Sequence, residues 1–378
     1  MLGASALTGI SACQANRSFR QLQQQLHYVV DDLGILHAPE FRCRIVAHSG
    51  QALSNGFVWP GAPDGGGVIN RGREGWIYVC NSELGHGKGG AAALVFDAQG
   101  SLQDAYSILS GTSENCSGSV TPWNTWLSCE EHKQGVVWEC DPVTRKPAMP
   151  LTRLGVFTHE AAAFDEENKI IYLTEDVPDG ALYRYVPASV AADGRYDLQQ
   201  GVLQGCVWDS ESKRVTWMAI EDPEAQKTAT RYQAELTRFG GGEGVCYRNG
   251  MIYFNTKHDD RIWQYDTRQQ VLHVYYQADD KSSLHYADAM TSSPDSSLWA
   301  GEDGDDMQVV ALTQSGRQKV LLQVSGQDHS EITGLAFTAD YRRLYFSSQR
   351  GPSSRLNSSK YGITYEMEGD FLNWLSQS

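Results

Sequence analysis

Gly242-Glu243-Gly244, then Met251-Ile252-Tyr253-Phe254, then Arg261-Ile262-Trp263-Gln264-Tyr265-Asp266 reads as three strands in a row, with an acid heading the first. Aromatic and β-branched residues at this density favour strands, and two such runs parted by a polar turn make a hairpin. The same unit recurs. Asn55-Gly56, Cys116-Ser117-Gly118, Glu160-Ala161, Asp288-Ala289 and Glu331-Ile332-Thr333-Gly334 each carry a metal-capable residue just before a small one. A first aromatic strand follows every one of the six, starting near residues 76, 126, 171, 252, 298 and 344, in steps of 50, 45, 81, 46 and 46. Four of these steps match a four-stranded blade, so the expectation is an all-β, six-bladed β-propeller. Two β-sandwiches would not repeat at a constant period with one acid per unit.

The long step holds an insertion at about 187–238, between the third and fourth blades. Gly201-Val202-Leu203 and Val215-Thr216-Trp217-Met218 read as strands in it. Asp222-Pro223-Glu224 through Leu236 reads as a helix, with an N-cap, a proline in the first turn and helical spacing. The propeller is expected to span 51–378 as one domain, after a lead-in at 14–50.

Composition narrows the function. The chain has 378 residues, 41% of them hydrophobic, with 37 glycines, 10 tryptophans and 18 tyrosines, as many short strands and tight turns require. Its 46 acids outnumber 31 bases, for a net charge of -15. That excludes a nucleic-acid partner, which needs a basic surface, and fits a protein that concentrates cations. A monomer acting on a small molecule is expected. Residues 1–13 are small and apolar and end in Ile10-Ser11-Ala12-Cys13, similar to a bacterial lipobox. The expectation is the remnant of an export signal, with the protein periplasmic or lipid-anchored through Cys13. No other stretch approaches the ~18 apolar residues of a membrane span. Eight cysteines form no CxxC pair, and the sequence leaves any disulfide pairing open.

A single acid at a strand start is an ordinary turn former. Repeated around an axis, acids with no strong geometric demand suit calcium, and a thiolate among them suits iron. The candidate ligands are Glu160, Glu243 and Glu331, joined by Cys116, which occupies a slot where other blades offer carboxylates. A second acidic layer ends the aromatic strands and adds Glu130, Glu131 and Asp303. Adjacent buried carboxylates repel and call for a cation between them. His159, Asn115 and Asp288 read as supporting partners of the ligands. No Gly-x-Ser-x-Gly elbow, HExxH or P-loop occurs, so no catalytic residue is expected beyond the metal ligands.

The run from Asn115-Cys116-Ser117-Gly118-Ser119-Val120-Thr121-Pro122-Trp123-Asn124-Thr125-Trp126 to Leu127-Ser128-Cys129-Glu130-Glu131 resembles the signature of the PhoX-type alkaline phosphatases. The likeness continues at Gly155 to Glu160, Tyr172 to Asp176, Leu182 to Pro187, Gly242-Glu243-Gly244, Glu331 to Gly334 and Gly362 to Glu366. The resemblance implies an exported six-bladed propeller that holds ferric iron and calcium in its channel and hydrolyses phosphomonoesters. By motif, Cys116 matches the iron-binding cysteine, Glu131, Glu160, Glu243 and Glu331 match carboxylates of the cluster, and Asp303 matches more loosely. One position departs: Gly241 stands where phosphatase members usually place an arginine that grips the substrate phosphate. That departure leaves two alternatives on the same scaffold, a non-catalytic binding propeller and a calcium-dependent hydrolase of other esters such as lactones.

Overall fold

The computed structural model describes residues 27–304, 306–352 and 360–377. The export segment and Cys13 lie outside them. Six antiparallel sheets follow one another in chain order. Blade one is Pro63–Asn70, Trp76–Ser82, Gly89–Phe96 and Leu102–Thr112; blade two is Asn115–Val120, Trp126–Glu130, Val137–Cys140 and Met149–Pro150. Blade three starts with His159–Asp165 and Ile170–Glu175, and blade four with Gly242–Arg248 and Met251–Thr256. Blade five starts with Ala287–Ser292 and Leu298–Glu302, and blade six with Ile332–Phe337 and Arg343–Ser348. The first strand of each blade lies against those of both neighbours, so six first strands enclose one axis.

Alternation of side chains sends one face of each strand into the gap between blades. The result is six separate apolar clusters, one at every blade junction. Aromatic residues pack in these wedges. Tyr78 of blade one stacks on Tyr345 of blade six at 4.7 Å, and Trp299 of blade five meets Phe337 of blade six edge-on at 5.3 Å.

The ring closes with strands from both ends of the chain. Arg42–His48 is the outermost strand of blade six, whose other three strands come from the C-terminal end. A hairpin of Val29–Val30 and Ile35–His37 adds to the outer edge of blade five. The described part of the segment expected as a lead-in, residues 27–50, therefore belongs to the propeller. Pairing it with the last blade fastens the two ends of the chain to each other and closes the ring.

The insertion also differs from expectation. Gly201–Trp208 is the ordinary fourth strand of blade three, and Val215–Ala219 is an added fifth. The segment read as a helix over 222–236 forms only a 3-10 turn at Thr230–Tyr232. Its backbone is used elsewhere: the Pro223 carbonyl accepts from Val156 N at 2.8 Å, and Gln233 Nε2 donates to the Asp222 carbonyl at 2.6 Å. The first bond ties the segment to the chain leading into blade three and the second folds it onto itself, which leaves no helical ladder. Arg231 then reaches Glu175 of blade three at 3.0 Å. Among the described residues the one α-helix, Phe371–Ser376, is capped by Asp370 and buries Phe371, Trp374 and Leu375. All seven described cysteines are free thiols, and no described helix is long and apolar enough to cross a membrane.

Candidate metal centre

Five first strands carry a chemically active side chain at their second residue: Asp64, Cys116, Glu160, Glu243 and Asp288. In each blade the pairing register shifts just past that residue, between Pro63 and Gly66, Asn115 and Gly118, His159 and Ala162, Gly242 and Val245, and Ala287 and Met290. A bulge lets a strand turn a side chain out of the pleat, here towards the axis. Blade six has its shift between Thr333 and Ala336, so its equivalent residue is Gly334, and Glu331 enters from the rim above. Glycine and alanine beside the ligands permit close approach. A Cβ on Gly65 would sit 2.3 Å from Ser117 Cα, and one on Gly244 would sit 2.5 Å from the Asp288 carbonyl. Beyond the acids the small residues line a cavity of about 290 Å3.

Asn55 does not hold the blade-one position. It lies in an exposed turn on the outer edge, donating to Asp104 Oδ1 and the Ala105 carbonyl at 2.8 Å each. Asp64 takes that place.

A second tier comes from the residue after each second strand: Glu83, Glu131, Asp176, Lys257 and Asp303, with Gln349 and Arg350 from blade six. Strand alternation separates these from the acids just before them. Glu130 turns into its own blade, where Ser113 N and Trp138 Nε1 donate to it at 3.0 Å each. Glu175 does the same with Tyr183 Oη at 2.8 Å and Arg231 Nη1 at 3.0 Å. Glu130 is thus a bracing residue and stands outside every cluster of potential ligands, contrary to expectation.

Cys116, Glu131, Glu160, Glu243, Asp303 and Glu331 are brought together as expected. Asp288 joins them directly, and Asp64 and Glu83 are additions that the sequence did not mark. Four triads have their donor atoms within 4.8 Å of one another: Cys116–Glu131–Glu160, Asp64–Glu83–Glu331, Glu160–Glu243–Asp288 and Asp288–Asp303–Glu331. Cys116 Sγ lies 3.1 Å from Glu160 Oε1, while Glu160 Oε2 is buried with no hydrogen-bond partner. Burial, then the neighbouring carboxylates, push Asp64, Glu131, Glu160, Glu243 and Glu331 well above the usual carboxylate range. Burial with the Asp64 and Glu160 charges raises the Cys116 thiol as well. Two unit charges 4 Å apart repel by about 4 kcal/mol at an effective dielectric near 20. A cluster of this kind keeps its charge only with cations between the oxygens. The donor set fits them: three all-oxygen triads for a hard cation, and one mixed with sulfur for a softer metal.

Supporting residues hold the thiol strand. Asn81 Nδ2 donates to the Cys116 and Ser117 carbonyls at 3.1 and 2.9 Å, and its Oδ1 accepts from Trp126 Nε1 at 2.9 Å. Asn115 links Thr112 and Ser128 at 2.6 and 3.0 Å, bracing the same strand. His159 faces away from the acids. It stacks on Phe157 at 3.6 Å, bonds the Gly155 carbonyl at 3.0 Å, and burial pushes its pKa down to about 3.

Two cations reach the rim. Lys257 Nζ lies 2.8 Å from Glu243 Oε1 and 3.3 Å from Asp303 Oδ2, and Arg350 Nη1 lies 3.2 Å from Glu331 Oε2. Burial opposes charge on Lys257, but Asp288, Glu243 and Asp303 outweigh it and hold its pKa above the usual lysine value. The backbone at Gly241 has φ +66, and a Cβ there would meet Lys257 Cβ at 3.3 Å. Lysine thus stands beside the place where an arginine was expected.

Fold and channel together define a six-bladed propeller with acids and one thiol converging on its axis. The chain belongs to the alkaline phosphatase PhoX family, whose model matches residues 64–137 and 132–351. Membership places it among phosphatases. Among solved structures it is similar to Pseudomonas fluorescens PhoX in complex with vanadate, a transition state analogue. That match has a TM-score of 0.73 at 14% identity and covers 89% of this chain and 96% of that one. A gluconolactonase of Xanthomonas campestris gives a TM-score of 0.54 at 12% identity, covering 88% and 91% of the two chains. A luciferin-regenerating enzyme gives 0.53 at 9%, covering 87% and 95%. At these identities the likenesses speak for the fold. Among curated proteins, no sequence matches the chain.

Proposed function

We propose that this protein hydrolyses phosphate monoesters at the acidic rim of its channel, with ferric iron and calcium as resident cations. The observation that carries the reading is the meeting of a thiol with Glu131 and Glu160 beside three all-carboxylate triads, with two basic side chains at the same rim. Cys116, Glu131 and Glu160 would hold iron, and the carboxylate triads would hold calcium. Such cations neutralise the charge that builds on a transferring phosphoryl group.

The remaining work falls to the chain's own side chains. Lys257 keeps its proton because three carboxylates face it. Once those carboxylates are engaged by cations, its N–H bonds are free to donate to a phosphate oxygen. Arg350, paired with Glu331 from the last blade, supplies a second donor from another direction. Two charge-assisted contacts orient the ester as the arginine at position 241 would have done. The vanadate complex of Pseudomonas fluorescens PhoX supports a site able to take a phosphate in transfer.

The test is phosphate release from several monoesters by metal-replete protein, with lactones and diesters in parallel. Turnover confined to monoesters, inhibited by vanadate and lost in Cys116→Ala and Glu243→Ala, supports the proposal. No release from any ester by protein shown to contain iron and calcium would leave a metal-stabilised binding propeller. We place the protein outside the cytoplasmic membrane on the Ile10-Ser11-Ala12-Cys13 segment. An unmodified Met1 found by mass spectrometry in a cytoplasmic fraction would overturn that placement.

A further inference from the structure

Away from the channel, where the N-terminal hairpin on blade five meets the closing strand of blade six, Asp31, His37 and Cys43 bring one donor atom each within 4.8 Å of one another. Asp31 sits in the hairpin turn, His37 ends its second strand, and Cys43 lies on the closing strand. The three are pre-aimed. Asp31 Oδ1 accepts from Leu33 N and Ile35 N at 2.9 Å each, which fixes the carboxylate, and its Oδ2 has no hydrogen-bond partner. His37 is 3% exposed, and its Nδ1 lies 2.8 Å from the Ala38 carbonyl. A carbonyl only accepts, so Nδ1 carries a proton, and Nε2 is the nitrogen left to bind a metal. That buried nitrogen has no hydrogen-bond partner either, and points at Asp31 Oδ2 3.5 Å away. Orienting a ligand histidine through a carbonyl on its other nitrogen is how metal sites fix the tautomer.

We propose that Asp31, His37 and Cys43 form a structural zinc site that latches the closure of the ring. Carboxylate, imidazole and thiolate are zinc's ordinary ligands, and one tetrahedral position remains for water. Binding displaces the Cys43 thiol proton to solvent. Two anionic ligands balance the dication, so a neutral unit replaces an orphaned nitrogen and oxygen. The latch joins the hairpin to the closing strand and so holds together both chain segments that complete blades five and six.

The test uses the full chain in a Cys116→Ser background, which removes the channel thiol. Cobalt loading should still give a thiolate charge-transfer band, and added zinc should abolish it. Cys43→Ser should remove the band, and His37→Gln should lose about one equivalent of tightly held zinc per chain. Zinc should raise the Tm of the parent protein and not that of His37→Gln, and His37→Gln made in the wild-type chain, with Cys116 intact, should keep its phosphatase activity unchanged. If Cys43→Ser does not fold, the zinc content of His37→Gln decides. A thiolate band that persists without Cys43, unchanged zinc content in His37→Gln, or a parent that binds no cobalt would overturn the proposal. The last result would leave His37 and Asp31 as a polar contact that only braces the hairpin turn.

Discussion

The two halves of the channel rim are built differently. In blades one to three, Asp64, Glu83, Cys116, Glu131, Glu160 and Asp176 face inward, and among the described residues none of them is ion-paired to a lysine or arginine. Every charged neighbour that perturbs Cys116 or Glu160 raises its pKa. In blades four to six, Lys257 and Arg350 stand among Glu243, Asp288, Asp303 and Glu331. There Lys257 and Arg350 offset the burial of Asp288, whose pKa rises only to about 6. The first half is compensated only at Glu83, where the Arg350 charge opposes burial, and otherwise depends on cations from solution. The second half neutralises itself in part, which leaves basic groups to meet an anion. One ring thus separates metal holding from substrate holding by which blades carry bases.

If that division is right, the largest effects come from the first half. Cys116→Ala and Glu160→Gln should each lower phosphomonoester turnover by more than about a hundredfold and deplete iron, read by elemental analysis beside kcat. Equal iron content in wild type and Cys116→Ala would break the comparison. Next is metal removal, because cations bound only by the folded form stabilise it. The loss should depend on pH. Asp288, raised from 3.8 to about 6, holds its proton more tightly folded than unfolded. Its favourable contribution is complete below the unfolded value and is lost as pH rises through about 6. The other rim carboxylates, raised further, extend the trend upward. Chelated protein should therefore melt lower at pH 8 than at pH 5, and the metal-loaded protein should show a much flatter profile.

Much of this was legible in the sequence because a propeller repeats. The aromatic second strands set the period, and Cys116, Glu160, Glu243 and Asp288 stand where the repeat puts them, while Glu331 comes from just before the first strand of blade six. Asp64 was missed because Pro63-Asp64-Gly65-Gly66-Gly67 looks like a loop. It is a strand whose glycines make room for blade two. Glu130 and Glu131 are indistinguishable as letters, and only the pairing of strands decides which faces the axis. Lys257 stands at the same place after its second strand as Glu131 and Asp303, but a base in a slot expected to hold acids gave no ligand signal. Arg350 lies one residue beyond that slot. The helix expected near Asp222 failed because local turns, the Gln233 side chain and Val156 take up its backbone groups.

Lys257 sharpens the comparison from the other side. Lys257→Met should raise KM for phosphomonoesters about tenfold to a hundredfold and weaken vanadate inhibition in step, because a charge-assisted contact to the anion is lost. Iron content should stay as in wild type, since the thiol half is untouched. Lys257→Arg should recover part of the affinity. A fall in iron with unchanged KM would mean that Lys257 serves the cluster and the two halves are not separate in function.

The smallest effect belongs to Glu130, whose sequence position beside Glu131 suggests a ligand and whose contacts deny it. Glu130→Gln keeps one acceptor oxygen and places an NH2 against donors at Ser113, Trp138 or Val136. A buried donor set against another donor costs about 1–3 kcal/mol. The variant should melt several degrees lower with kcat, KM and metal content unchanged. Glu131→Gln should do the reverse, keeping most of its stability while losing iron and turnover. Charge repulsion among rim acids falls in that variant, so its metal-free form should even gain stability. If both variants lose metal equally, strand alternation does not divide the pair, and Glu130 returns to the list of ligands.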